Sequence, residues 1–208
     1  METHFPQQDT VQTQDLEILS RLIRSRRSIF TEQLSDERLP RELLETLFEN
    51  AHWAPTHGRT EPWHFIVYSG EARARFGQAH AELYRSLTPE EAFKPETFEK
   101  LRERAISCGH LIALCLRRGD NPKIPVSEEL AAVACAVQNL HLTATAMGLA
   151  GYWSTGGMTY REEMKPLLGL RPEDQVLGFF FLGRPRVAAW PEGRRKTRWE
   201  DHVQWIEA

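Results

Sequence analysis

The chain has 208 residues, 41% of them hydrophobic and 26% charged, the length and balance of a single globular domain. Lysine plus arginine number 26 against 29 aspartate plus glutamate, a formal charge of −3, so no overall positive field draws it to nucleic acid. The longest apolar runs fall well short of the roughly 20 residues of a membrane-spanning helix, and three cysteines without a CxxC spacing argue against a disulfide scaffold or a zinc ribbon. The polar, Gln-rich start lacks the pattern of a secretory signal. The expected setting is the cytoplasm, with neither membrane nor nucleic acid as a partner.

Residues 1–14 read as a flexible tail, because no apolar periodicity precedes Leu16. Leu16, Leu19 and Ile23 then recur at helical spacing, and this first helix is expected to stop near Ser28. A second helix, starting at Ser35-Asp36-Glu37 or at Pro40, carries Leu43, Leu44, Leu47, Phe48 and Ala51 and ends before Ala54-Pro55. Trp63 to Tyr68 is aromatic and β-branched and predicts a strand. Residues 71–87 and 90–107 predict helices, the second with a break at Pro95. His110 to Leu116 predicts a buried strand, and residues 127–147 a helix apolar nearly all round, hence buried in the domain or an oligomer interface. Gly151 to Thr155 reads as a strand end, 160–168 as a short helix, and Val176 to Leu182 as the last core strand. The tally is about six helices and four strands, an α+β or α/β layered domain.

Several chemistries are missing from the sequence. It contains no Walker phosphate loop, no G-x-G-x-x-G, no G-x-S-x-G, no H-E-x-x-H and no zinc-spaced Cys or His cluster. No metal site is expected. Four constellations remain. Arg26-Arg27-Ser28 offers two guanidiniums and a hydroxyl suited to a phosphate, or else a solvated basic helix end. Ala54-Pro55-Thr56-His57-Gly58-Arg59-Thr60-Glu61-Pro62-Trp63 fixes a loop that offers polar groups, or merely connects a helix to a strand. Gly148 to Gly157 holds four glycines, which allow close backbone approach to a flat ligand. There Trp153 could stack and Ser154 and Thr155 donate, or the segment is a tight turn with a core tryptophan. Arg194-Arg195-Lys196 is a further phosphate contact or a solvated charge run.

In this order the four resemble the nitroreductase family of FMN-dependent oxidoreductases over residues 16–205. The resemblance rests on Arg26-Arg27-Ser28, Ala54-Pro55, Glu61-Pro62-Trp63, the glycine-rich stretch after a long helix, and a basic tail closed by Trp205. It implies an α+β fold of three layers, with a central mixed, mainly antiparallel sheet flanked by helices. Residues 15–208 would form the one domain, its C-terminal tail reaching onto the partner of a homodimer with FMN at the subunit interface. Arg26, Arg27 and Ser28 would hold the FMN phosphate and ribityl chain, helped by Arg194 or Lys196. His57 would reach the flavin from the other subunit. Trp153, Ser154, Thr155 and Gly156, with Gly157, would line the ring.

The implied activity is ping-pong hydride transfer from NADPH or NADH, through flavin N5, to a small electron-poor acceptor such as a nitroaromatic, quinone or enone. No protein side chain is assigned as catalytic. The chain departs from the family pattern at Arg59 and Glu61, where Asn and Gln are usual. A negative Glu61 near the flavin would oppose the anionic reduced state, unless Arg59 pairs with it. Alternative readings are a related flavin enzyme such as a reductive dehalogenase, and a non-catalytic flavin- or nucleotide-binding protein.

Overall fold

The computed structural model describes residues 11–207. Strand β2 (His110–Leu116) and strand β4 (Gln175–Gly183) run antiparallel at the centre of a sheet ordered β1-β2-β4-β3, with β1 (Trp63–Tyr68) and β3 (Ala150–Ser154) at the edges. All three ladders are antiparallel, and a single parallel bridge joins Ser28 to Gly151. In β2 every residue is buried. Its two faces alternate, as strand geometry requires. Ile112, Leu114 and Leu116 enter one core with helices α2 (Arg41–His52) and α5 (Val126–Ala146). Leu111, Ala113 and Cys115 enter a second core, with Phe76 of α3 (Glu71–Leu87), Ala105 of α4 (Pro95–Ile106) and Met164 of α6 (Met164–Leu167). The result is the expected three-layer α+β arrangement. None of the described helices is long and apolar enough to cross a membrane.

Several boundaries differ from the sequence reading, each for a local reason. Helix α1 (Val11–Ser25) starts within the stretch read as tail, because no Gly or Pro interrupts residues 7–27 and a helix can extend without burying a side chain. Residues 1–10 lie outside the described residues. The helix stops at Ser25 rather than near Ser28 because Ser28 is drawn to the sheet. There the Ile29 amide donates to the Gly151 carbonyl at 3.2 Å. Helix α2 starts after Pro40, not at Ser35. Pro95 occupies the first turn of α4, so the segment 90–107 splits into a short 3₁₀ turn (Glu90–Ala92) and that helix. Of residues 160–168 only Met164–Leu167 is helical.

A β-bulge decides how β3 meets β4. The β2–β4 register slips between Leu114 and Cys115, leaving Leu177 unpaired beside Gly178 at φ +146°. The Trp153 ring lies over Gly178, where any Cβ would strike it, and its indole N–H donates to the freed Leu177 carbonyl at 3.0 Å. Gly151 plays the same part for Phe180, a fully buried side chain whose ring fills the space a Cβ would need. Gly151→Ala is therefore expected to destabilise the fold by about 1–3 kcal/mol through overpacking. The measurement is a lowered urea midpoint at unchanged slope; an unchanged midpoint would show that Phe180 moves aside freely.

Candidate functional site

The end of α1 and the tail that follows β4 meet. The Trp190 indole N–H donates to the Ser25 carbonyl at 2.5 Å. Arg27 uses Nε on the Pro191 carbonyl (2.9 Å) and Nη1 on the carbonyls of Arg24 (2.6 Å) and Arg26 (2.7 Å). Gly193 passes so close to that guanidinium that a side chain there would collide with it. Arg27 is thus partly spent on bracing the tail. Arg26 is not: it is half-buried, and its guanidinium is held below the usual range by burial, then by the charges of Arg27 and Arg195. Among the described residues none of Arg26, Arg27 and Arg195 is ion-paired with a carboxylate. Three clustered cations without a counter-charge are electrostatically costly, and an anion such as a phosphate relieves that cost.

Arg194, Arg195 and Lys196 are all exposed; the tail residue whose charge reaches Arg26 is Arg195, not Arg194 or Lys196, the two expected to help. Beneath the cluster, His141 of α5 donates from Nε2 to the Arg27 carbonyl (3.2 Å) and packs edge-on against Phe180. Sequence offered no signal for this histidine beyond its place in an apolar helix.

Ser28 is exposed beside the start of β3, and the glycine-rich turn follows that strand. Trp153 is half-buried and its N–H is taken by β4, so its first duty is to the sheet. Ser154 is buried and accepts from the Gly156 amide at 3.4 Å. The Thr159 hydroxyl donates to the Gly156 carbonyl (2.6 Å), and the Met158 amide donates to His80 Nε2 (3.0 Å). Gly157, at φ +69°, packs so tightly on His80 and Leu101 that only glycine fits. Thr155 and Gly156 are therefore the exposed tip of a turn fixed from below. Arg104 of α4 stands behind it, half-buried, its guanidinium 4.9 Å from the ring centres of both Tyr152 and Phe181. Nothing in the helical run around Arg104 marks it from sequence.

His57 is elsewhere. It sits on a 3₁₀ turn (His57–Arg59), with Nδ1 2.5 Å from Glu128 Oε2 at the start of α5. Glu128 and His141 are thirteen residues apart on that helix, about 20 Å along its axis. One chain therefore does not gather His57 and the arginine cluster at one point. The loop after His57 is wound tightly: Arg59 and Glu61 both adopt left-handed backbone, at φ 54° and 44°, a conformation costing on the order of 1 kcal/mol or more each. The Thr56 hydroxyl holds it, accepting from the Glu61 amide (3.3 Å) and touching the Thr60 hydroxyl (3.0 Å). Arg59 and Glu61 form no ion pair with each other among the described residues. Instead Glu61 borders a polar cleft with Arg117, Arg118 and Arg171. Of these, Arg118 is bound to buried Glu129 and Arg171 to buried Asp174. Burial would raise the Asp174 carboxyl; the Arg171 guanidinium and the amides of Arg171 and Arg118 override it and hold it below its usual range.

The Nitroreductase family model matches residues 23–184. YfhC of Bacillus subtilis strain 168, provisionally named an NAD(P)H nitroreductase, is 29% identical over 191 residues, covering 90% of this chain and 94% of YfhC. A nitroreductase-like family protein from Bacillus cereus superposes with a TM-score of 0.78 at 26% identity, covering 100% of both chains. A Desulfovibrio desulfuricans structure, titled as a nitroreductase candidate in complex with FMN, shares the fold with a TM-score of 0.68 at 22% identity, covering 99% of this chain and 100% of that one.

Two histidines of this region tie stability to pH. His80 is pushed down to about 4 by burial and then by Arg104. His141 is pushed down to about 4 by burial and then by Arg26, against the opposing Arg27 carbonyl. Both are neutral when folded, yet each takes a proton near its ordinary value of about 6.5 when unfolded. Stability is therefore full above about pH 6.5 and falls as pH drops toward about 4, by about 1.4 kcal/mol per unit for each histidine. Urea midpoints at about pH 7 and about pH 5 test this, and a pair of equal midpoints would disprove it.

Proposed function

The chain belongs to the nitroreductase family, and on that premise we propose that it is an FMN-dependent oxidoreductase that uses NADPH or NADH to reduce small electron-poor molecules. The observation that carries this reading is the half-buried Arg26, without an ion-pair partner among the described residues, beside Arg27 and Arg195, with exposed Ser28 at the start of β3 and the rigid turn at Thr155–Gly156 at the other end of that strand. FMN bound there would supply two-electron, hydride-transfer chemistry linking a nicotinamide to a nitroaromatic, quinone or enone. Arg26 and Arg195 would hold the phosphate, with the free edge of the Arg27 guanidinium. Ser28 would serve the ribityl chain. The 154–156 backbone would lie against the ring, where fixed amides cost nothing to organise at the moment of reaction. Arg194 and Lys196 would add long-range attraction for the phosphate. No acid or base side chain is assigned.

The reading extends to a homodimer in the cytoplasm. Leu16, Leu19 and Ile23 of α1, with Phe30 and Trp199, are large apolar side chains left exposed on one chain, and α5 exposes Ala131 and Cys135. A second copy would cover such a surface, and residues 192–207, all exposed, would extend onto it. The separation of His57 from the arginine cluster supports the same arrangement, because His57 of one subunit would then serve the site of the other.

Arg26→Ala is expected to weaken FMN retention by roughly tenfold or more, since a charge-assisted hydrogen bond contributes about 1.5–3 kcal/mol. The flavin absorbance remaining after gel filtration measures it, and a variant that stays fully loaded would refute the phosphate role. Ile23→Glu is expected to shift sedimentation from dimer to monomer and to lower flavin content with it. A wild-type chain that sediments as a monomer while loaded with flavin would sink the shared-site arrangement.

A further inference from the structure

Beneath the glycine-rich turn lies a cavity of about 20 Å³, room for one water or one oxygen atom and too small for a ring. Phe76, Phe179 and Phe181 give it an apolar floor. Three polar residues also line it: Ser154, His80 of α3 and Arg104 of α4. A Cβ on Gly156 would stand 3.8 Å from Ser154 Oγ and 4.0 Å from Arg104 Nη1, so the cavity sits directly under the exposed tip of the turn. No part in flavin binding has so far fallen to His80.

The imidazole has a definite hydrogen-bond direction. His80 is only 6% exposed. Its Nε2 lies 3.0 Å from the Met158 amide, which can only donate, so Nε2 is the acceptor. The ring is neutral, because burial and then the charge of Arg104 push it down to about 4. A neutral imidazole carries one N–H, which is therefore on Nδ1. That N–H meets no protein acceptor among the described residues. Yet no side-chain nitrogen or oxygen sealed from solvent among them lacks a partner. Nδ1 is therefore open to a void, and the void that His80 lines is this cavity.

The ring cannot turn away. Gly157 packs on it so closely that a Cβ there would stand 2.7 Å from Nε2, and the Phe76 and Phe179 rings flank it at 5.7 and 5.6 Å between centres. Arg104 is half-buried, ion-paired with no carboxylate among the described residues, and held against Tyr152 and Phe181. Two fixed donors thus border a space for one acceptor atom, and no carboxylate lines it.

We propose that the Nδ1–H of His80 is a hydrogen-bond donor to the flavin: it holds one carbonyl oxygen of the pyrimidine edge in this cavity, beside Arg104, while the ring lies on the turn above. The inference rests on the flavin reading. Reduction places extra electron density on that edge. A donor fixed there binds the reduced form more tightly than the oxidised form and so raises the flavin potential. The donor is neutral and acts without taking a proton from solvent.

Two substitutions separate this donor from the structural part of the ring. In His80→Gln the side-chain carbonyl can still accept from the Met158 amide, near the place of Nε2, but nothing replaces the Nδ1–H. His80→Asn carries an N–H near the place of Nδ1 and leaves the Met158 amide unpaired. The midpoint potential of each FMN-loaded chain is measured by equilibration with a redox dye, and its stability by urea. His80→Gln is expected to bind reduced FMN about tenfold more weakly relative to oxidised FMN, a fall of about 30 mV for a two-electron couple. His80→Asn is expected to keep the wild-type potential and to have the lower urea midpoint. Equal potentials in the wild type and His80→Gln overturn the proposal, since the Nδ1–H would then meet only water. So do potentials that follow the urea midpoints, lowest in His80→Asn. A wild-type chain that takes up no FMN overturns the flavin reading itself, and this inference with it.

Discussion

Burial of β2 and β4 on both faces is the constraint from which the rest of the molecule follows. A strand buried on both faces has no face to give to water, so helices must cover both sides. Helices α2 and α5 cover one, α3, α4 and α6 the other. The two cores meet only through the sheet, and large side chains such as Phe180 and Leu182 leave little tolerance at the crossing points. Glycine at 151 and 178 is a packing answer to that crowding. The bulge at Leu177 frees the carbonyl that anchors Trp153, and the anchored strand end aims the glycine-rich turn. Core packing and the shape of the turn are thus one problem with one solution.

The arginine cluster works on a different principle. The buried carboxylates elsewhere are matched, Glu129 by Arg118 and Asp174 by Arg171, and on the surface Arg186 pairs with Asp36. At the end of α1 the match is withheld, and Arg26 is partly desolvated among like charges. Structural stability alone gives no reason for this. A protein that keeps a cation half-buried and unneutralised has kept room for an anion. The neutral His141 beneath avoids adding a fourth positive charge, and its N–H still satisfies the Arg27 carbonyl.

The layered fold was legible in the sequence because its signals are local and strong. WHFIVY and HLIALCL are strands over the residues expected, and the Ala-rich run is a long helix to within a residue at each end. What failed was context-dependent. The end of α1 depends on a bridge to Gly151, more than a hundred residues away, and the shortened α6 depends on turns fixed by Thr159 and Gly156. Arginine and glycine motifs marked the candidate site, since their chemistry is unusual wherever it occurs. Arg104 and His141 did not announce themselves, because an arginine among Glu and Arg residues, or one histidine in an apolar helix, reads as surface or core until the tertiary neighbours are known. The choice of Arg195 over its two basic neighbours was invisible for the same reason.

The clamp between the end of α1 and residues 190–193 has a consequence in time. Ser25 leaves the ribosome 165 residues before Trp190, and Arg27 leaves it 164 residues before Pro191. The clamp beside Arg26 cannot be closed by a growing chain whose clamping half does not yet exist. Until then, the basic segment is an open, solvated strip. Closure of the clamp is therefore a late event in the synthesis of this domain, and segment 190–193 acts as its latch.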